Sequence, residues 1–298
     1  MVSPQDVQKL RETSGAGIMD CKRALQESSG DFEKAIQFLR EKGKATAAKR
    51  SGKSTSSGTV ACWVAPNMKK AGIIELNCET DFVARTKELN DFVKEVAQCL
   101  TSIEAGSVPE LVTQSLASSQ DSIDAVLKDK IGKVGENIVI KRIGSLGDKN
   151  SANSIIGQYV HAAYDGFPEC GTLGVILELK SEKNDPEIQS LARELSMQVA
   201  ANSPKWVKKE DVPESIVKAE KEIYQEQCKQ SGKPEKAWTM ITDGKLNDFY
   251  RQFCLLSQSY IRDPSGKVSV ETVVEEASKK SGTSISVAGF FRFKVGEE

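Results

Sequence analysis

Asn77-Cys78-Glu79-Thr80-Asp81-Phe82-Val83-Ala84 separates two apolar patterns of different period. Ile73-Ile74-Glu75-Leu76, just before it, is the short apolar run of a strand. Leu89, Phe92, Val93, Val96 and Leu100, just after it, fall at i, i+3, i+4, i+7 and i+11, one face of a helix. The stretch therefore connects a strand to a helix, a frequent seat of function on α/β scaffolds. A bland connector would hold Gly, Asn or Ser. This one sets an acid, Asp81, beside a large aromatic, Phe82. Either the pair is a helix cap with an inward ring, or it faces outward as a tool.

The totals limit the choice of function. At 298 residues the chain can hold two or three domains. Its 39% hydrophobic and 28% charged content suit a soluble globular protein. A net charge of −1 argues against nucleic-acid binding by bulk charge. The seven cysteines, Cys21, Cys62, Cys78, Cys99, Cys170, Cys228 and Cys254, are odd in number and form no C-x-x-C pair. That argues against a disulfide framework and a structural zinc site, and free thiols suit a reducing compartment. The start, Met1-Val2-Ser3-Pro4, lacks the basic and apolar regions of a signal peptide, and no stretch approaches the ~20 apolar residues of a membrane span. A cytoplasmic location is expected. One histidine, His161, serves the whole chain and leaves little room for metal sites or a catalytic triad.

Residues 3–43 read as three short helices. Ser3 is the N-cap of the first, with Pro4 at its first position. The second carries Ile18, Cys21 and Leu25 on one face. Asp31 caps the third, whose stripe is Phe32, Ala35, Ile36 and Leu39, and Gly43 closes it. Residues 44–58 read as a linker. Basic residues crowd around it (Arg40, Lys42, Lys44, Lys49, Arg50, Lys53), but no aromatic is interleaved for base stacking. Gly52-Lys53-Ser54 resembles the end of a phosphate-binding loop, yet Ala47 stands where the first glycine belongs and no strand precedes it. Strands are expected over Thr59 to Val64 and Ala71 to Asn77, joined around Pro66-Asn67. Residues 107–130 read as helical pieces, and Ile131 to Arg142 ends in strand-like alternation.

The pattern then recurs. Gly157 to His161 echoes the first strand, and Gly174 to Leu179 echoes Gly72 to Leu76. Ile188, Leu191, Ala192, Leu195 and Val199 echo the helix. Matching Glu75-Leu76 to Glu178-Leu179 sets an offset of 103, which also matches Val96-Ala97 to Val199-Ala200. A duplicated strand–strand–helix unit follows. Opposite Thr80-Asp81-Phe82 the second copy has Lys183-Asn184-Asp185, ordinary turn chemistry before Pro186. The turn itself does not require Asp-Phe, which favours the outward reading. Residues 211–256, with a turn at Ser231-Gly232-Lys233-Pro234, read as an inserted αα-hairpin. Phe291, Phe293 and Val295 alternate as a closing strand.

Taken together, these motifs resemble the translation elongation factor Ts family. Leu10-Arg11, Gly15-Ala16-Gly17-Ile18-Met19-Asp20-Cys21-Lys22 and Ala24-Leu25 match its opening signature. Cys78 to Ala84 matches its most specific motif. Ile131-Gly132, Gly135-Glu136-Asn137-Ile138, Ser231 to Pro234, and Phe290, Arg292-Phe293 and Val295-Gly296-Glu297 follow in the family's order, over nearly the whole chain.

The resemblance implies an α+β protein. Its expected parts are a UBA-like three-helix domain (1–54), a duplicated core (55–148, then 149–205 with 257–298) and an inserted coiled-coil hairpin (206–256). It implies a guanine nucleotide exchange factor for elongation factor Tu, GDP-bound or nucleotide-free. Such a factor is not an enzyme and needs no cofactor, metal, nucleotide or membrane of its own. Arg11, Ile18 and Met19 would touch the partner from the first domain. Thr80, Asp81, Phe82 and Val83 would enter beside its Mg²⁺ site. His161 and Ile261 would contact it from the second core unit. Arg262 departs from the apolar residue that the family often places there. Many members continue beyond Val-Gly-Glu with a helical module, whose contact is expected to be missing from a chain ending at Glu298. Two readings compete with this one: RNA or ribosome binding through 40–53, and cysteine chemistry at Cys78.

Overall fold

The computed structural model describes residues 2–148, 150–232 and 234–297. Three helices open it: α1 (Pro4–Ser14), α2 (Ile18–Glu27) and α3 (Phe32–Arg50). Ser3 and Asp6 form a reciprocal capping box, with Pro4 in the first turn. Asp31 caps α3 by accepting from the Lys34 N–H at 3.0 Å. Leu10, Cys21, Ala24, Leu25 and Ala35 make a small core. Ile18 does not share the buried face of Cys21 and Leu25. It is the first residue of α2, at the rim of the bundle, and is half exposed.

Gly43 does not close α3, and the expected linker is helical as far as Arg50. Helix propensity favours stopping at a glycine, but packing overrides it. Gly43 is buried against Gly132 of a later helix, and so close an approach requires a glycine at 132, where a Cβ would stand 2.5 Å from the Gly43 Cα.

Next come β1 (Ser57–Val64), β2 (Lys70–Cys78), α4 (Asp81–Ala84), α5 (Lys87–Cys99), α6 (Val108–Val112), α7 (Ile123–Val134) and β3 (Ile138–Gly147). The second half contains β4 (Ser154–His161), β5 (Cys170–Gly171), β6 (Leu173–Lys180), α8 (Pro186–Asn202), α9 (Glu214–Gln230), α10 (Glu235–Phe253), α11 (Val270–Ser281) and β7 (Ser286–Lys294). Two antiparallel sheets result, in the orders β3-β2-β1-β5 and β4-β6-β7. Val60, Cys62, Ala71 and Ile73 of the first meet Ile156, Ile176 and Phe293 of the second in one apolar layer. The alternate residues Ile74 and Leu76 pack with Phe92, Val96 and Ile131 of α5 and α7. Likewise Val175 and Leu177 pack with Leu195, Val199 and Val274 of α8 and α11. The layers are thus helix, sheet, sheet, helix. The central strands β2 and β6 are covered on both faces, which is why they read as apolar runs rather than alternations.

The duplication is longer than the sequence pattern suggested. Each copy is strand, strand, helix, helix, strand: β1-β2-α5-α7-β3 and β4-β6-α8-α11-β7. The central strand of each carries a register shift at the same place, between Glu75 and Leu76 and between Glu178 and Leu179. The α9–α10 hairpin is inserted in the second copy, and Trp206, Val212, Leu246, Phe249 and Cys254 pack together around its base. Lys233, in its expected turn, lies outside the described residues.

Candidate functional site

The connector contains a helix of its own. Where the second copy runs straight into α8, capped by Asp185 and started by Pro186, the first copy breaks into α4 and α5. Thr80 caps α4 by accepting from the Val83 N–H at 3.4 Å, and Thr86 caps α5. Asn90, fully buried, donates to the carbonyls of Ala84 and Thr86 at 2.9 Å each and accepts from Thr59 Oγ1. The break lifts one helical turn out of the apolar stripe. Val83 remains against the core, while Phe82 is 80% exposed and Asp81 stands beside it in solvent. Among the described residues the Asp81 carboxylate has only a loose 4.0 Å contact with the exposed Arg85.

Polar groups from three segments hold the base of this turn. Glu136 accepts from both the N–H and the hydroxyl of Thr80, at 3.0 and 2.8 Å. Glu79 accepts from the Asn137 N–H at 2.7 Å and faces Arg50 of α3 at 3.4 Å. The Asn137 side chain donates to the Lys53 carbonyl at 2.7 Å. The Thr80 carbonyl receives the Cys78 thiol at 3.1 Å. Glu79, Glu136, Asn137 and Asn90 escaped functional reading of the sequence. Their available signals were an acid and an amide after the helix-ending Gly135, and an amide within an apolar stripe.

Burial, reinforced by the Glu136 charge, pushes the Cys78 thiol up to about 12. Such a thiol is a poor nucleophile. The sole histidine, His161, is exposed at the end of β4, its Nδ1 3.1 Å from the Tyr159 hydroxyl. Cysteine chemistry at Cys78 therefore lacks both an activated sulfur and a paired base. Among the described residues no group of three His, Cys, Asp or Glu could hold a metal ion. Among the described residues no helix is long and apolar enough to cross a membrane. The basic segment is partly spoken for: Arg40 reaches Asp121, Lys42 pairs with Asp20 and Arg50 faces Glu79.

The structure connects several of the predicted residues. Tyr164, three residues after His161, lies 5.4 Å under the Arg85 guanidinium and donates to the Gly58 carbonyl, so the loop leaving β4 abuts the connector. Through Arg50 the connector also meets the end of α3. Ile18 and Met19 start α2, with Met19 71% exposed, and Arg11 is exposed on α1. Ile261 belongs to the second copy. It is 40% exposed, and its N–H is held at 2.8 Å by Gln198 of α8. Its neighbour Arg262 pairs with Glu194, which also accepts from the Tyr260 hydroxyl at 2.5 Å. Burial would raise the Glu194 pKa, but the bonds from Tyr260 and Arg262 outweigh it and hold the carboxyl below its ordinary range. The clamped turn offers a carboxylate and an aromatic ring to solvent, an arrangement suited to contact with a partner surface.

The chain is similar in sequence to known proteins. A family model described as "Elongation factor TS" matches residues 79–297. Elongation factor Ts of Clostridium botulinum (strain Eklund 17B / Type B) is 37% identical over 297 residues, covering 100% of this chain and 94% of the relative. That of Clostridium perfringens (strain SM101 / Type A) is 37% identical over 298 residues, with the same coverage. That of Halothermothrix orenii is 34% identical over 297 residues, covering 99% and 93%. The chain belongs to the elongation factor Ts family.

Proposed function

We propose that the protein is a guanine nucleotide exchange factor for elongation factor Tu, acting in the cytoplasm during translation elongation. The observation that carries this reading is Phe82, exposed on a clamped helical turn that the second copy of the fold does without. In this reading 1–54 serves as a UBA-like module and 206–256 as a coiled-coil arm, each flanking the duplicated core. Arg11, Ile18 and Met19 dock on the nucleotide-binding domain of the GTPase, and His161 and Ile261 add contacts from the second copy. The turn Thr80 to Val83 enters beside the bound Mg²⁺.

The physical logic is differential binding. In a GTPase the metal bridges phosphate oxygens and offsets their charge. Phe82 wedged beside it, with Asp81 altering the local hydrogen bonds, displaces the metal and loosens the nucleotide. The coupling is reciprocal: if this protein weakens GDP binding, GDP weakens the binding of this protein by the same factor. Nucleotide-free elongation factor Tu is then the tightest partner. No covalent bond changes, so the protein acts as a ligand and not as an enzyme.

Release of a fluorescent GDP analogue from the elongation factor Tu of the same cell tests the reading. Strong acceleration is expected, with clear loss in Asp81→Ala/Phe82→Ala. Undiminished acceleration by the double variant removes the turn from the mechanism, and none by the wild type removes the function.

A further inference from the structure

Helix α4 has four residues, far below the length at which a helix holds itself together in water. Phe82 makes little contact with the rest of the chain, so its direction depends on the base of the turn. At that base every polar group of Thr80 is engaged. Its N–H and hydroxyl proton go to the two oxygens of Glu136. Its carbonyl accepts from the Cys78 thiol and from the Ala84 N–H at 3.3 Å. The hydroxyl oxygen is left to accept from the Val83 N–H. Glu136 thus decides which way the capping hydroxyl turns. With its proton committed to the carboxylate, the lone pair faces the helix.

Glu136 is aimed by its own neighbours. Gly135 ends α7 in the left-handed conformation, φ 76°, and reverses the chain toward the connector. The Asn137 N–H grips Glu79, and the Asn137 amide grips the Lys53 carbonyl just beyond α3.

We propose that Glu136 is the positioning residue of the Asp81-Phe82 pair, pre-setting through Thr80 the direction in which the ring meets its partner. The proposal rests on the exchange-factor reading for its consequence, but not for its structural content. A ring already aimed binds without the entropy cost of ordering the turn. Removing the carboxylate frees the hydroxyl and weakens a cap, a loss that corresponds to about a five- to tenfold fall in productive encounter.

Two measurements test this on the full chain. In hydrogen–deuterium exchange of the protein alone, Glu136→Ala should speed amide exchange at 83–85 and leave β2, β3 and α5 protected as before. In GDP-analogue release, Glu136→Ala and Thr80→Val should each lower the second-order stimulation about five- to tenfold, and the double variant should fall no further. Glu136→Gln, which keeps one acceptor oxygen, should recover part of the loss. Wild-type protection at 83–85 in Glu136→Ala overturns the proposal. So does loss of protection throughout β2 and β3, which would make Glu136 a general support. Additive single effects overturn it too. If the wild type fails to stimulate release, the exchange-factor reading falls, while the hydrogen-exchange arm still decides whether Glu136 sets the turn.

Discussion

Gly43 of α3 and Gly132 of α7 cross with no side chain between them. A Cβ added to Gly132 would stand 2.5 Å from the Gly43 Cα, whereas one added to Gly43 would stand an ordinary 3.7 Å from the Gly132 Cα. The two substitutions should therefore differ in sign. Gly43→Ala gains helix propensity and should be neutral or stabilising by up to about 1 kcal/mol. Gly132→Ala forces two backbones apart and should cost about 1–3 kcal/mol. Urea denaturation of the two variants checks the asymmetry, and an equal cost for both would refute it.

Gly43 also shows where sequence reading stops. Periodicity and caps located the first helix, both β1–β2 strands and the hairpin, because Ser3, Asp31 and Pro66-Asn67 act on their own neighbourhoods. Gly43 has the same local meaning as any helix-ending glycine. Its partner is 89 positions away, so its role is set by tertiary packing that no window contains. The duplication was legible at Glu75-Leu76 and Glu178-Leu179 because the register shift keeps an acid beside an apolar residue in both copies. Its full extent was not, since α6 in one copy and the hairpin in the other break the spacing. Phe82 was legible as an oddity, through its absence from the second copy. The clamp of Glu79, Glu136 and Asn137 was not, because an acid just after a strand or a helix end is usually solvated.

The two register shifts place Glu75 and Glu178 in unlike surroundings. Glu75 is fully buried, with the Arg142 Nε at 2.6 Å and the Lys141 Nζ at 3.9 Å. Glu178 is buried too, and accepts from the Ser154 hydroxyl, but its charged partner Lys180, at 2.5 Å, is 43% exposed. Truncating Glu75 leaves a guanidinium without its buried counterion, a loss on the order of 3 kcal/mol. Truncating Glu178 leaves an amine that water reaches, about 1 kcal/mol. Glu75→Ala should thus lower the urea midpoint much more than Glu178→Ala, and the reverse order would contradict this account.

Asp263 stabilises the loop that presents Ile261. Its carboxylate accepts from the Val268 N–H at 2.9 Å, from the Ser265 hydroxyl and N–H, and from the Lys267 N–H at 2.8 Å. These bonds, the one from Val268 foremost, hold its pKa down at about 2, against an ordinary 3.8. A folded-state pKa below the unfolded value gives stability that is complete above about pH 4 and is lost as the pH falls toward 2. The Asp263 carboxyl should titrate near pH 2 by NMR, with amide exchange at Val268 speeding over the same interval relative to acid-independent sites. A midpoint near 4 would show that the loop does not hold the carboxylate.

Phe82 and Val83 are adjacent and should separate function from stability. Phe82 is 80% exposed and Val83 only 9%. Phe82→Ala removes a side chain that the folded protein hardly touches, so stability should stay within about 0.5 kcal/mol of wild type. Its exchange activity should nonetheless fall, because a desolvated aromatic anchor carries a large share of an interface. Val83→Ala removes two buried methyl groups and opens a small void, which should cost about 1–2 kcal/mol. Its activity should fall less than that of Phe82→Ala at temperatures where the fold persists, since Phe82 and the Thr80 cap remain. Thermal denaturation and GDP-analogue release on the two variants give the comparison. If Phe82→Ala destabilised as much as Val83→Ala, the ring would be a packing residue, and the outward reading of the turn would fail.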